Sequence, residues 1–236
     1  MVMKKTAILF FLVMICSCLL FSCGKGKSDT LYLVKQTRTD QNGTMTVTFY
    51  YNSDYKIAKQ AVDTGKDDST VSEYGYDENG YQNYQKVTAS SGMLQEIFMK
   101  NDSDGRMLEL KTVTTYNGKV TESKATYEYI DENGSYIQTS PQGAVNTFMM
   151  DEQGNLLSTK TSSLGETSVT YDNKYEGELL KEAIITTVTK TKTTIQTIKY
   201  EYDSHGNKVK STIYDEDGNV KVTETFEYSN EVEFVK

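Results

Sequence analysis

The clearest pattern along the chain is an alternation of apolar and polar positions in short runs. Between Gly43 and Tyr51, methionine, valine, phenylalanine and tyrosine occupy every second position, and threonine fills most of the positions between them. Residues 198–202 and 220–228 repeat this period of two, with Glu224 interrupting the apolar face of the second run. Successive side chains of a β-strand point to opposite faces, so this period predicts strands with one more apolar face.

A short turn phrase, Asp-x-x-Gly, recurs between these runs. It occurs seven times, at Asp40 and Gly43, Asp77 and Gly80, Asp102 and Gly105, Asp131 and Gly134, Asp151 and Gly154, Asp203 and Gly206, and Asp215 and Gly218. An aspartate at the first position of a type I turn accepts hydrogen bonds from nearby backbone N–H groups, and glycine adopts the positive φ that follows such a turn. The phrase therefore predicts hairpins with a type I turn and a glycine bulge. A two-residue turn is the alternative, and either one joins antiparallel strands.

These runs and turns together predict an all-β fold. Pro141 is the single proline of the chain, so little interrupts a ladder of strands. Apolar positions at helical spacing are absent from most of the sequence, although a short helix between Lys86 and Lys100 also fits the pattern. We predict an antiparallel meander of many hairpins that forms a curved or folded-over sheet, in one domain over residues 30–236.

The N-terminus has the pattern of an export signal. Two lysines at residues 4 and 5 precede an almost wholly apolar run over residues 7–21. That run has the length of a signal-peptide core and is short for a membrane span. The sequence Leu-Phe-Ser-Cys that ends at Cys23 then resembles the lipobox of bacterial lipoproteins.

The lipobox resemblance implies a processing site and a location. It implies that residues 1–22 are a signal peptide, that Cys23 carries diacylglycerol on its sulfur, and that residues 23–29 form a lipidated tether. The protein is then exported and anchored to the bacterial cell membrane or the outer membrane. The alternatives are a looser lipobox at Cys18, an ordinary signal peptide, or a single membrane anchor with a plain thiol at Cys23.

The composition limits the partners and cofactors. With 25 basic and 33 acidic residues, the chain has a formal net charge of −8. A protein of this charge does not attract nucleic acid electrostatically, so we expect no nucleic-acid partner. The three cysteines lie at residues 16, 18 and 23, so the predicted domain has neither a disulfide nor a thiolate metal site. We expect no cofactor.

Three copies of the turn phrase carry a second resemblance. The stretches that begin at Tyr76, Tyr202 and Tyr214 each continue with Asp-x-x-Gly, and they resemble the YD repeats of RHS-type bacterial surface and toxin-delivery proteins. In those proteins the repeats form long strands that spiral into a large hollow shell. This chain is far too short to enclose a cargo, so the resemblance implies the strand-turn-strand unit and not the delivery function.

Candidate catalytic and metal-binding residues are sparse. His205 is the single histidine and lies inside a predicted turn, and no G-x-S-x-G motif is present. Two carboxylates could serve a hydrolase, but so many acidic residues make the presence of a pair uninformative. The loops at Asp102 and Asp215 resemble the start of a calcium loop without completing the EF-hand spacing. The turn interpretation already accounts for their residues, so we predict no metal site and no catalytic residue.

Tyrosine is the main large side chain, with 18 copies and no tryptophan. These tyrosines either stabilise neighbouring strands or line a face that binds a glycan, a peptide or another surface protein. We predict a non-catalytic binding or structural module of the cell envelope, held to the membrane by the lipid on Cys23. The alternatives are a carboxylate-based envelope hydrolase and a carrier that holds an apolar ligand on a curved sheet.

Overall fold

The computed structural model describes residues 30–65, 69–161 and 167–235. The predicted lipobox with Cys23, and the tether after it, lie outside the described residues. The described chain forms sixteen strands: β1 (Tyr32–Asp40), β2 (Gly43–Tyr51), β3 (Ile57–Asp63), β4 (Thr70–Tyr76), β5 (Gln82–Ala89), β6 (Leu94–Asn101), β7 (Met107–Tyr116), β8 (Lys119–Tyr129), β9 (Tyr136–Thr139), β10 (Val145–Met150), β11 (Leu156–Thr161), β12 (Thr167–Glu176), β13 (Leu179–Val188), β14 (Thr193–Tyr202), β15 (Lys208–Tyr214) and β16 (Val220–Ser229). These residues contain no helix that is long and apolar enough to cross a membrane.

The sixteen strands close into a barrel. Each strand pairs antiparallel with the strands before and after it in the chain, and β16 pairs antiparallel with β1. The prediction of an all-β antiparallel meander is confirmed, and the prediction of a curved or folded-over sheet is wrong. The physical reason is that β1 and β16 would each leave an unpaired edge in an open sheet, and closure gives both edges a partner. Residues 86–100 hold parts of β5 and β6 rather than a short helix.

The two faces of the sheet differ in burial and in charge. The face that carries Val47, Phe49 and Tyr51 holds most of the buried side chains, and these three expose only 2–4% of their surface. The opposite face carries ion pairs between neighbouring strands. We call the first face the lumen wall and the second the outer wall, because the concave side of a closed barrel is the less exposed one. The outer ion pairs include Lys35–Glu227, Lys86–Glu73, Lys111–Glu122, Lys124–Glu109, Lys174–Glu182 and Lys210–Glu201.

Both ends of the described chain lie at the same end of the barrel, which we call the N-terminal rim. Strand β1 begins there, and the segment after β16 continues there along the end of β2. The Tyr51 amide donates to the Glu233 carbonyl at 2.8 Å, and the Val235 amide donates to the Tyr51 carbonyl at 2.9 Å. Val232 packs against the apolar cluster of Val47, Phe49 and Tyr51. This tail therefore reinforces the place where the barrel closes.

Candidate functional site

The candidate site is the interior of the barrel. Barrel diameter grows with strand number, and at sixteen strands the interior exceeds what the side chains of the wall can fill. Strands that are not neighbours stay more than 8 Å apart in Cα–Cα distance throughout the described residues. Gln196 pairs with Ile185 on the lumen wall and is nevertheless exposed. The lumen is therefore a solvent-accessible compartment.

Five of the seven Asp-x-x-Gly phrases share one turn geometry. At Asp77, the amide of Gly80 donates to the Asp77 carbonyl at 2.9 Å, and the amides of Asn79 and Tyr81 donate to Asp77 Oδ1 at 3.0 and 2.9 Å. Gly80 has a φ of +84°. The other four members have the same bonds and a glycine φ between +76° and +82°: Asp102 with Gly105, Asp151 with Gly154, Asp203 with Gly206, and Asp215 with Gly218.

The remaining two phrases form other turns. Asp40 pairs directly with Gly43 across a two-residue turn, in which the Asn42 amide donates to Asp40 Oδ1 at 2.7 Å. The turn at Asp131 is one residue longer, and the Ser135 amide donates to Asp131 Oδ1 at 2.9 Å while Gly134 has a φ of +88°. Ser135 is completely buried, and its hydroxyl accepts a hydrogen bond from the Met150 amide.

One further rim turn escaped the sequence analysis because it lacks both marker residues. Asn52 takes the place of the aspartate, and its Oδ1 accepts the amides of Asp54 and Lys56 at 3.0 and 2.9 Å. Tyr55 takes the place of the glycine, with a φ of +59°. Asn52, Asp77 and Asp102 follow one another at intervals of 25 residues, the length of one hairpin unit. That interval is the signal that would have found this turn.

The turn carboxylates are engaged with their own loops. Among the described residues, no three His, Cys, Asp or Glu side chains converge on a point where a metal ion could bind. A hydrogen bond from Lys221 at 2.8 Å, together with turn amides, lowers the pKa of Asp215 to about 2. His205 is largely exposed on its turn, with Nδ1 3.9 Å from Asp203 Oδ2. These contacts assign the turn residues a structural role in the barrel rims.

Four tyrosines at the N-terminal rim share one role. Tyrosine hydroxyls at the ends of even-numbered strands donate to a backbone carbonyl at the start of the preceding strand. The bonds are Tyr51 to Leu33 at 2.7 Å, Tyr76 to Ile57 at 2.7 Å, Tyr202 to Leu180 at 2.8 Å and Tyr228 to Lys208 at 3.1 Å. Tyr175 instead donates to Asp151. We call this ring of side chains the rim layer. It explains why tyrosine precedes aspartate at Tyr76 and Tyr202, whereas Tyr214 precedes Asp215 on the outer wall at the opposite rim.

A second aromatic layer lies deeper in the lumen, two residues before the rim layer. Tyr74 belongs to it and donates its hydroxyl to Gln60 Oε1 at 2.6 Å, and burial raises its pKa to about 12. Phe148 also belongs to it and stacks on Tyr136 with ring centroids 4.6 Å apart. The aromatic members of this second layer are Phe49, Tyr74, Tyr127, Phe148, Tyr200 and Phe226.

Charge is segregated between the two walls of the barrel. The strand registers place six glutamines on the lumen wall: Gln36, Gln60, Gln85, Gln95, Gln138 and Gln196. The registers place most lysines of the strand interiors on the outer wall, among them Lys35, Lys59, Lys86, Lys111, Lys124, Lys174, Lys199 and Lys210. Between the two rims, the described lumen wall is therefore mostly neutral and polar. Near the N-terminal rim, the ammonium group of Lys208 lies over two rings of the second aromatic layer, 4.5 Å from the centre of Phe226 and 5.8 Å from that of Tyr200.

One ion pair interrupts this neutral lumen wall. Below the second aromatic layer, Arg38 and Glu224 form an ion pair on the described lumen wall, with 3.1 Å between Nη1 and Oε1. Ser211 donates its hydroxyl to the other oxygen of Glu224 at 2.9 Å. The pair joins β1 to β16, which are the strands whose pairing closes the barrel. We expect this half-buried polar contact to favour one strand register over others.

A cleft of about 400 Å³ lies at the N-terminal rim between two successive turns. Asn52, Lys56 and Asp77 line it, and Lys56 Nζ donates to the Gly80 carbonyl at 2.9 Å. The same ammonium group lies 5.1 Å from the centre of the Tyr76 ring. These polar contacts link neighbouring hairpins along the rim.

The comparisons with known proteins support the barrel fold. No family model and no curated protein matches the sequence. A porin-like protein from Bacteroides uniformis has a similar structure, with a TM-score of 0.52 at 12% identity over 84% of this chain and 97% of that one. A porin-like protein from Bacteroides vulgatus gives 0.45 at 10% identity over 85% and 99%. The Photorhabdus luminescens Tc holotoxin pore gives 0.33 at 16% identity over 76% and 9%. At 12% identity, the likeness to the Bacteroides uniformis protein shows the fold alone.

Proposed function

We propose that this protein is a non-catalytic, lipid-anchored module of the bacterial cell envelope that holds a ligand inside a water-exposed barrel. The observation that carries the proposal is the separation of charged and neutral side chains between the two walls. The outer wall can carry lysine and glutamate because it faces water. The lumen wall has mainly neutral hydrogen-bonding groups, which suit a neutral ligand.

The outer wall supports a barrel that stands in water rather than in lipid. A barrel that crosses a membrane presents an apolar band of about 25 Å to the lipid. Here the middle of β7 and β8 carries two ion pairs on the outer wall, Lys111–Glu122 at 3.0 Å and Lys124–Glu109 at 2.6 Å. Placing a lysine against hydrocarbon at the middle of the membrane costs about 2–4 kcal/mol.

The position of the chain's start supports a surface anchor near one rim. The described chain begins beside the N-terminal rim, and the predicted tether covers residues 23–29. An extended segment spans at most about 3.5 Å per residue, so this tether reaches about 25 Å. A lipid on Cys23 would therefore hold the N-terminal rim close to the membrane and leave the other rim facing away from it.

The lumen wall offers little to the hydrolase and apolar-carrier alternatives. A glycosidase needs two carboxylates that face a bound substrate. Within its strands, the described lumen wall has two acidic residues: Asp40 at the rim opposite the N-terminal rim, and Glu224, which is engaged with Arg38 and Ser211. The turn residue Asp151 also reaches this wall, where Tyr175 and Asn173 donate hydrogen bonds to it. An apolar ligand would leave the amides of the lumen wall without hydrogen-bond partners, which costs free energy at each amide.

The anchor is tested by metabolic labelling with a radioactive fatty acid. The wild-type chain is expected to incorporate the label, Cys23→Ser is expected to lose it, and Cys18→Ser is expected to keep it. Mass spectrometry of the mature N-terminus identifies the modified residue. Labelling that persists in Cys23→Ser and disappears in Cys18→Ser would move the anchor to the looser lipobox.

The compartment is tested with single cysteines, since the described residues contain none. In a Cys23→Ser background without Cys16 and Cys18, we compare Gln196→Cys on the lumen wall with Lys199→Cys on the outer wall. A small maleimide is expected to label both positions, and a maleimide coupled to a folded protein is expected to label only the outer one. Equal labelling by the large reagent would show that Gln196 does not lie in an enclosed lumen.

A further inference from the structure

We infer that the ligand of the lumen is an uncharged glycan chain. This inference rests on the proposed function and adds the chemical class of the ligand. It follows from three properties of the lumen wall: aromatic faces, neutral hydrogen-bonding groups and few charged side chains between the rims.

The aromatic faces match the shape and polarity of sugar rings. A sugar ring has a face of C–H groups that packs against an aromatic ring, and its hydroxyls point outward to polar groups. Tyr171 pairs with Ile185 on the lumen wall of β12, deeper than the rim layer and the second aromatic layer. It is only partly buried, and burial raises the pKa of its hydroxyl. Its ring is therefore a platform inside the compartment.

The polar groups nearby are both donors and acceptors, as a hydroxyl-rich ligand requires. Across β8, β9 and β10, the Gln138 amide donates to the Tyr127 hydroxyl at 2.9 Å, and Asn146 Nδ2 donates to Gln138 Oε1 at 3.1 Å. Each of these amides keeps further hydrogen-bonding capacity, because an amide has two donor hydrogens and a two-lone-pair acceptor. They form a ladder that can exchange hydrogen bonds with sugar hydroxyls.

The charge distribution selects against ionic ligands. Arg38 and Glu224 satisfy each other on the lumen wall, so neither offers a free charge to an ionic partner. The net charge of −8 further disfavours the approach of an anionic polymer. A cationic ligand would leave the water for a wall that offers it few carboxylates. An uncharged glycan meets none of these penalties. The ammonium group of Lys208, 4.5 Å from the centre of the Phe226 ring, can donate hydrogen bonds to the hydroxyls of such a glycan.

The shape of the compartment favours a chain over a small sugar. The described connections at both rims are short turns, such as the two-residue turn after Asp40 and the turn after Asp77. Aromatic side chains occupy several successive levels along the barrel axis, in the rim layer, in the second layer and at Tyr171. A glycan of several units can contact these levels at once and gain from each contact.

The test measures retardation of the full chain, purified in a non-glycosidic detergent, in native gels that contain a polysaccharide. The neutral probes are hydroxyethyl cellulose, dextran and galactomannan. Carboxymethyl cellulose is the charged control, because it shares the cellulose backbone of hydroxyethyl cellulose. We expect retardation by at least one neutral probe. Where the cellulose backbone binds, the carboxymethyl form should bind at least tenfold more weakly.

Two matched variants locate the binding inside the barrel. Tyr171→Ala on the lumen wall is expected to weaken the apparent affinity about tenfold, and Tyr214→Ala on the outer wall is expected to leave it unchanged. Thermal melting checks that both variants fold. If Tyr171→Ala does not fold, Asn146→Ala replaces it, with an expected weakening of several-fold.

Two outcomes overturn the inference. One is the absence of retardation by every neutral probe, and the other is an equal effect of the Tyr171 and Tyr214 variants. A different result would reject the proposed function: equal labelling of the Gln196→Cys and Lys199→Cys variants by the large maleimide. A protected lumen without glycan binding would therefore reject the ligand class and retain the compartment.

Discussion

The hydroxyl of Tyr51 is the most informative single group to remove, because it links the rim layer to the closure of the barrel. Tyr51 exposes only 4% of its surface, and its hydroxyl donates to the Leu33 carbonyl on β1 at 2.7 Å. Tyr51→Phe keeps the ring in the cluster with Val47 and Phe49 and deletes only the hydrogen bond. The experiment therefore isolates the contribution of the tyrosine that precedes the turn.

The expected loss follows from the burial of this bond. A typical intramolecular hydrogen bond contributes about 1 kcal/mol, and a buried acceptor left without its donor costs about 1–3 kcal/mol. We therefore expect Tyr51→Phe to lower the free energy of unfolding by about 1.5 kcal/mol. For a domain of this size, 1 kcal/mol corresponds to about 2–4 °C in Tm, so the melting temperature should fall by about 3–6 °C.

The assay is urea unfolding, with Tyr50→Phe as the matched control. Tyr50 lies on the outer wall of the same strand, where its hydroxyl makes no hydrogen bond to a described residue, and its ring lies near Lys59. We expect this control to change the free energy of unfolding by less than about 0.5 kcal/mol. Equal effects of the two variants, at an unchanged m value, would refute the role assigned to the rim layer.

Two further predictions concern the turns and the buried tyrosines. Gly218→Ala should cost about 1 kcal/mol through its φ of +80° alone. Gly105→Ala should cost measurably more in urea unfolding, because its Cβ would lie 2.3 Å from the Tyr81 ring, and equal losses would contradict this packing. Burial raises the pKa of Tyr74 to about 12, and burial with the Asp151 contact raises that of Tyr175 to about 12. Because the folded state favours the neutral phenol, their contribution is complete below about pH 10 and is lost as the pH rises towards 12. Tyr74→Phe should flatten this alkaline fall in stability in melts across that range, and an unchanged slope would oppose the assignment.

The local features of the fold could be read from the sequence because they depend on a few neighbouring residues. The geometry at Asp77 and Gly80 involves four or five consecutive residues, whose side-chain and φ preferences are intrinsic to their types. The strand period between Gly43 and Tyr51 is equally local. The turn at Asn52 could not be predicted from such local preferences, because Tyr55 adopts a positive φ there although tyrosine does not favour that conformation.

The candidate site could not be predicted from the sequence in the same way. The alternation of side chains indicates that each strand has two faces, and it does not indicate which face becomes concave. Gln60 and Gln196 stand among apolar residues along their strands and are unremarkable there. Only the registers, followed around all sixteen strands, place these amides on the same wall of one compartment.

The sequence by itself therefore determined the strands, most of the hairpin turns and the prediction of a lipidated export signal at Cys23. The tertiary structure alone decided the closure, the lumen and the separation of charge between its walls. The physical reason is range: a turn is encoded by adjacent residues, whereas closure depends on contacts such as Arg38 with Glu224, which lie 186 residues apart. No local preference specifies such a contact, because the two residues meet and stabilise the fold only when every intervening strand is in register.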